Sequence, residues 1–168
     1  MKWIQVSMVF AALFLPSLAF GQQTERSGQR YVFAAVGGWP AEFGPDTQLG
    51  LGFGGEKRVY RSVGVGGEIQ AFWGVGHNYG GLVATANGSY HFPHIGASGK
   101  WVGFGTGGFS AIAEGGEGSG GGIVGFNLGG GLNYWTSRDR ALRVEFRDHV
   151  SFDYAATHKF EIRIGLGF

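Results

Sequence analysis

Charged residues alternate with apolar ones near the end of the chain, a spacing that could build ion pairs or a proton path. Side chains two residues apart on a β-strand point to the same face, so each charged set shares one face. Charges taken out of water must pair, because an unpaired one costs several kcal/mol. We therefore predict a buried ion-pair network, with a gate or proton path as the alternative. Its members are Glu68, Arg143, Glu145, Arg147, Glu161 and Arg163, with Gln70 as a further partner.

The order of these charges constrains how the last two strands pair. One register sets Glu145 against Glu161, which places like charges opposite each other and is repulsive. The register shifted by two residues sets Glu145 against Arg163 and Arg147 against Glu161. We predict the second register.

The sequence offers one local candidate for hydrolysis. Ser151, His149 and Asp153 alternate along the chain, and a serine, a base and an acid are the groups that nucleophilic catalysis requires. A lipid hydrolase would need them on the lipid-facing side near one rim. Catalysis is the alternative to a non-catalytic role, which we expect.

Metal and cofactor sites are not expected. No two histidines, or histidine and acid, have a convincing ligand spacing, and we expect solvated loop positions for them. The histidines are His77, His91, His94, His149 and His158. Residues 50–55 and 103–108 fit G-x-G-x-x-G, but neither precedes a helical pattern, so no dinucleotide site is predicted.

The first residues have the pattern of a secretory signal peptide. Lys2 precedes a short apolar run, and small residues at Ala19 and Gly21 favour cleavage near Gly21. We expect residues 1–21 to be removed and residues 22–29 to be a flexible lead-in. Without Lys2, 12 of the 13 basic residues remain against 12 acidic ones. A nucleic-acid partner, which calls for a basic excess, is therefore not expected.

Alternation with a period of two runs through the rest of the chain and predicts eight strands. The predicted strands are residues 31–39, 48–56, 62–73, 82–92, 101–111, 126–134, 141–150 and 159–168. Compact turns at 55–61, 93–99 and 136–140 alternate with looser loops at 40–47, 74–81, 112–122 and 151–157. Such a meander is typical of a membrane β-barrel. The turns, rather than the loops, hold most of the basic residues.

Each strand is predicted to turn its apolar face to lipid and its polar or glycine face to a narrow lumen. In the first strand the apolar set is Tyr31, Phe33, Ala35 and Trp39; in the fifth it is Val102, Phe104 and Thr106. A soluble lipocalin-like barrel is the alternative. It requires the apolar residues of the last strand to point inward.

Composition agrees with a barrel in lipid. Glycine accounts for 35 of 168 residues, apolar residues for 43% and charged ones for only 15%, and cysteine is absent. The apolar content excludes a disordered linker, and the low charge disfavours a soluble globule. Many glycines alternate with apolar residues, as at 50, 52 and 54, or at 129 and 131, and are predicted to leave space in the lumen.

The last strand carries the most specific resemblance to a known family. Phe160, Ile162, Ile164, Leu166 and Phe168 occupy alternate positions up to the final residue. Over residues 30–168 the chain resembles the small eight-stranded outer-membrane barrels, which include the OmpA transmembrane domain and OmpX. The resemblance implies an eight-stranded antiparallel up-and-down transmembrane β-barrel in the outer membrane of a Gram-negative-type bacterium.

The resemblance also implies partners and a role. The five alternating residues would be the signal read by the barrel assembly machinery, and outer-membrane lipids would surround a monomer. A structural or surface-interaction role without catalysis is expected. Some barrels of this family acylate or deacylate lipid A, so a lipid-modifying enzyme is the alternative.

Overall fold

The computed structural model describes residues 28–39, 46–76, 78–116, 119–151 and 157–168, which form eight strands. These are β1 (Gly28–Trp39), β2 (Asp46–Tyr60), β3 (Val63–Gly74), β4 (Tyr79–Ile95), β5 (Trp101–Gly116), β6 (Ser119–Trp135), β7 (Ala141–Ser151) and β8 (Thr157–Gly167). The predicted leader at 1–21 and the lead-in up to residue 27 lie outside the described residues. Among the described residues, no helix has the length and apolar character to cross a membrane.

The strands close into one antiparallel barrel. Each pairs with the next along the chain, and β1 pairs with β8. Tracing paired residues around the barrel from Gly28 leads to Gly38, so the stagger is ten residues per circuit. The path is Gly28, Lys57, Val65, Gly88, Gly107, Leu128, Asp148, Phe160 and Gly38. The prediction of an eight-stranded antiparallel barrel is confirmed.

Several strands are longer than predicted. β2 continues to Tyr60, and the predicted turn at 55–61 shrinks to Arg61 and the residue after it. Most of the predicted loop at 112–122 is strand, with Gly115 paired to Gly120. Strand β1 begins at Gly28, inside the predicted lead-in. Glycine-rich segments resemble loops in sequence, but a backbone ladder needs no side chains, so these segments extend the sheet.

The outer surface of β8 is apolar. Ile162, Ile164 and Leu166 are 53%, 57% and 60% exposed, whereas the alternating Glu161 and Arg163 are 2% and 3% exposed. A soluble barrel would have the reverse arrangement. The outward direction of these apolar side chains contradicts the lipocalin-like alternative and fits a barrel whose outside meets hydrocarbon.

In β1 and β5 the predicted faces are wrong. Tyr31 and Phe33 point into the barrel at 4% and 6% exposure, and Val32 points out at 45%. In β5 the predicted lipid face, Val102, Phe104 and Thr106, also points inward. The cause is the charged lumen: the guanidinium of Arg143 lies over the ring of Phe104 at 3.7 Å, and that of Arg163 lies over Phe33 at 4.7 Å. Aromatic rings there stack on buried cations.

The predicted lumen glycines do lie on the inward side, because their paired residues are inward. Gly52 pairs with Gln70, Gly54 with Glu68 and Gly131 with Glu145. At Gly131 a Cβ would overlap the carbonyl oxygen of Val144 on β7. The neighbouring strand approaches too closely for any side chain.

Replacement of Gly131 by alanine is expected to lower the free energy of unfolding by about 1–3 kcal/mol, the usual cost of overpacking. The measurement is the urea midpoint of the refolded barrel in detergent. Gly105→Ala is the matched control, because a Cβ at Gly105 meets nothing within 4 Å. Equal midpoints for the two variants would contradict the close approach.

Candidate functional site

The inward faces of β3, β7 and β8 bring six charged side chains together inside the lumen. Alternation on each strand aims every second residue inward, and barrel closure brings β8 and β1 together. All six have relative exposures of 5% or less. They are Glu68, Arg143, Glu145, Arg147, Glu161 and Arg163.

Glu68 is the centre of this network. Arg147 donates to it from Nη1 at 2.8 Å and from Nη2 at 3.1 Å, a forked arrangement. Arg163 Nη1 donates at 2.8 Å, and the Tyr31 hydroxyl donates at 2.6 Å. One carboxylate therefore bonds to two guanidinium groups from different strands.

Two further carboxylates hold the same arginines from the other side. Glu145 accepts from Arg143 Nε at 3.0 Å and from Arg147 Nε at 2.7 Å. Glu161 accepts from Arg163 Nε at 2.9 Å. Arg147 and Arg163 thus each lie between a carboxylate of their own strand and the central Glu68.

The predicted register of the last hairpin is confirmed. Glu145 pairs with Arg163, and Arg147 pairs with Glu161, along the backbone ladder. The ion pairs themselves run elsewhere: among the described residues none within 4 Å joins these facing partners. Inward side chains converge towards the barrel axis, so the long arginines reach residues on their own strand and across the lumen.

Sequence reasoning missed one buried cation. Lys159 is fully buried, with Nζ 3.2 Å from Glu161 and 3.8 Å from the Phe72 ring centroid. Lys159 is two residues before Glu161 and therefore lies on the same face of β8. That spacing could have identified Lys159 as a lumen residue. The prediction that His91 is a solvated loop residue is wrong: it is 3% exposed on β4, and its Nε2 lies 2.5 Å from Glu56 Oε1. The His91 contact depends on the register of β2, β3 and β4, which the sequence does not define.

Every buried cation of the lumen has a carboxylate partner. Arg143, Arg147, Lys159 and Arg163 each lie within 4 Å of a carboxylate, and the carboxylates are those of Glu68, Glu145 and Glu161. Glu56 pairs with His91 instead.

The prediction that His149 is a solvated loop residue is wrong. It is 1% exposed inside the lumen, and its Nδ1 lies 2.9 Å from Ser110 Oγ. Arg163 Nη2 lies 3.3 Å from its Nε2. Glu161 Oε2 lies 3.8 Å from the same nitrogen, so His149 belongs to the buried ion-pair network.

The local catalytic candidate does not assemble on a lipid-facing surface. His149 and Ser151 are 1% and 2% exposed, and both point into the barrel. The Ser151 hydroxyl bonds to Thr157. Asp153 lies outside the described residues.

The other histidines are distributed around the barrel. His158 Nδ1 lies 2.9 Å from Asp148 Oδ2 at the loop end of the last hairpin. His94 is exposed at the end of strand β4. His77 is outside the described residues. Within the described part of the chain, no group of three or more His, Asp or Glu residues could hold a metal ion.

Known proteins share the fold but little sequence. No protein-family model matches the chain, and no curated protein sequence matches it. Neisserial surface protein A (NspA) superposes with a TM-score of 0.69 at 12% identity, over 84% of this chain and 96% of that one. Ail, the attachment invasion locus protein of Yersinia pestis, gives 0.54 at 10% identity, over 85% and 98%.

The outer membrane protein OprG from Pseudomonas aeruginosa gives a TM-score of 0.53 at 14% identity, over 85% of this chain and 96% of that one. At such low identities the likeness establishes the fold alone. This chain has the eight-stranded architecture of small outer-membrane barrels.

Proposed function

We propose that this chain is an outer-membrane β-barrel protein of a Gram-negative-type bacterium, with a structural or surface-interaction role and no catalysis. The observation that carries the proposal is the polarity of the barrel wall. The wall buries four carboxylates and four cations inside and exposes Phe, Leu, Ile and Val outside. Only hydrocarbon around the barrel makes that arrangement favourable, and closure removes the open sheet edges that hydrocarbon excludes.

The finer parts of the proposal rest on sequence and resemblance. Residues 1–21 are a cleaved signal peptide for export. The alternating residues of β8, from Phe160 to Phe168, are the signal for the barrel assembly machinery. The protein is a monomer among outer-membrane lipids and resembles the OmpA transmembrane domain and OmpX group. The filled lumen supports a structural role over that of a general diffusion pore.

Heat-modifiable migration tests this function. An unboiled sample of the cell-envelope fraction is expected to run at a different apparent mass from a boiled one, because a closed barrel resists unfolding by detergent. The protein is also expected to remain in the membrane pellet after a carbonate wash. Release into the periplasmic extract, with no gel shift, would overturn the proposal.

A separate measurement addresses the lipid-modifying alternative. The mass spectrum of lipid A from cells with and without the gene is expected to be identical. A difference of one acyl chain would replace the non-catalytic proposal with an enzymatic one.

A further inference from the structure

The cations outside the lumen all lie at one end of the described barrel. This is the turn end, where β1 begins, β8 ends and the segments at 61–62, 96–100 and 136–140 connect the strands. The cations are Arg30, Lys57, Arg58, Arg61, Lys100, Arg138 and Arg140. None of these seven forms an ion pair with a described carboxylate, whereas every lumen cation does. We call these seven residues the positive collar; Asp139 lies between two of them in the turn at 136–140.

Two of these cations flank a groove at the rim of the barrel's turn end, which Gln29 and Glu56 also line. Arg30 pairs with Gly55 across the β1–β2 ladder, and Lys57 pairs with Gly28. Both side chains point outward as diagonal neighbours. Each therefore stands opposite a glycine, and a Cβ at Gly55 would meet only atoms at 3.8 Å or more. The two cations border a cavity of about 650 Å³ with a bare backbone floor.

The lining of this groove combines charge with apolar surface. Val65 and Phe168 form its apolar part, at 49% and 60% exposure. Glu56 also lines it, but this carboxylate lies on the inward face of β2 and bonds to His91 at 2.5 Å. Arg30 and Lys57 are the charged groups on the outward side of the groove.

A second, apolar groove lies further along the outer wall. It has a volume of about 550 Å³, and Ala34 contributes to its lining. Its sides are outward residues of β2 and β8: Leu51, Phe53, Ile164 and Leu166. The two grooves share no lining residue, but Phe53 is two residues from Gly55 on the outward face of β2, so the apolar groove begins one outward position beyond the cationic one. A cationic site next to an apolar groove matches a molecule with an anionic head and acyl chains.

We infer that this surface of β1, β2 and β8 binds an anionic phospholipid, with its phosphate between Arg30 and Lys57 and an acyl chain along the groove past Ala34. The inference rests on the proposed membrane location. Charge complementarity selects the occupant: juxtamembrane cations attract anionic headgroups, each contributing on the order of 1 kcal/mol. A zwitterionic lipid supplies the same chains without the net charge.

Native mass spectrometry of the refolded full barrel tests this inference. The barrel is released from micelles doped with equal amounts of phosphatidylglycerol and phosphatidylcholine. Wild-type protein is expected to retain phosphatidylglycerol preferentially. Arg30→Gln with Lys57→Gln is expected to lower that retention by about thirtyfold, since two headgroup contacts are lost. Inorganic phosphate at millimolar concentration is expected to leave it unchanged, because the acyl chain contributes to binding.

The matched control is Arg138→Gln with Arg140→Gln, which removes the same charge from the same end but away from the groove. It is expected to retain phosphatidylglycerol as the wild type does. An equal loss of phosphatidylglycerol retention in both double variants would show that the whole positive collar attracts the lipid, and would overturn the specific site. Displacement by inorganic phosphate would leave an adventitious ion site only, and absence of lipid preference would also overturn the inference. The gel shift of each variant reports folding separately, so a folded barrel without preference leaves the proposed function intact.

Discussion

Replacement of Glu68 by glutamine is expected to destabilise the barrel by about 3–5 kcal/mol, the cost of removing one partner from a buried ion pair. The side chain is 5% exposed and accepts from Arg147 and Arg163. Glutamine keeps the shape but leaves both guanidinium groups without their shared anion. The urea midpoint of the refolded barrel, followed by tryptophan fluorescence and the gel shift, measures the loss.

Two comparisons separate this effect from a general charge effect. Asp139→Asn removes the same charge from an exposed turn and is expected to move the midpoint little. Adding Arg163→Gln to Glu68→Gln removes one cation together with one anion, which restores the original charge balance of the lumen. The double variant is therefore expected to be less destabilised than the sum of the two single variants. Equal midpoint shifts for Glu68→Gln and Asp139→Asn would contradict the central role of Glu68.

Replacement of Ile162 by lysine is expected to cost about 2–4 kcal/mol in lipid vesicles, because an ammonium group at mid-membrane depth meets hydrocarbon. Ile162 lies at the centre of β8 and is 53% exposed. Such an exposed position on a soluble protein would tolerate lysine. The measurement is the urea midpoint after refolding into phosphatidylcholine vesicles.

Ile95→Lys is the matched control for this experiment. Ile95 is 52% exposed, nearly the same as Ile162, but it ends β4 beside the turn at 96–100. Lysine near the membrane surface costs about 0–1 kcal/mol. A shared small cost at both positions would show that water, not lipid, surrounds the barrel.

The fold and the last hairpin could be predicted from sequence because the chemistry of their two faces differs. In β8 each charged or glycine residue alternates with Phe, Ile or Leu, and the like-charge clash of Glu145 with Glu161 selects one register. The charges of Glu161 and Arg163 identify the inward face. When the two faces of a strand differ strongly in polarity, the sequence shows which face points inward.

Other parts were not predictable because local sequence lacks that contrast. Strand β1 has apolar residues on both faces, so Tyr31 and Val32 are equally credible lipid contacts. Only the register of β1, β2 and β3, which places Tyr31 and Glu68 on either side of Gly54, shows that the ring belongs inside. His149 likewise lies near the end of β7 in sequence, but its partner Ser110 comes from β5, 39 residues away.

The unequal strand lengths give the loop end of the barrel a step. Strand β6 begins at Ser119, but its pairing with β7 starts only at Gly125. About 20 Å of β6, measured along the strand at roughly 3.3 Å per residue, therefore extends past the last residue that it pairs with in β7. Tyr79 at the start of β4 pairs with Gly116 at the end of β5, so the described extension is a sheet of three strands, β4, β5 and β6. Of the described chain, a large molecule at this end would meet a glycine-rich sheet on one side of the barrel.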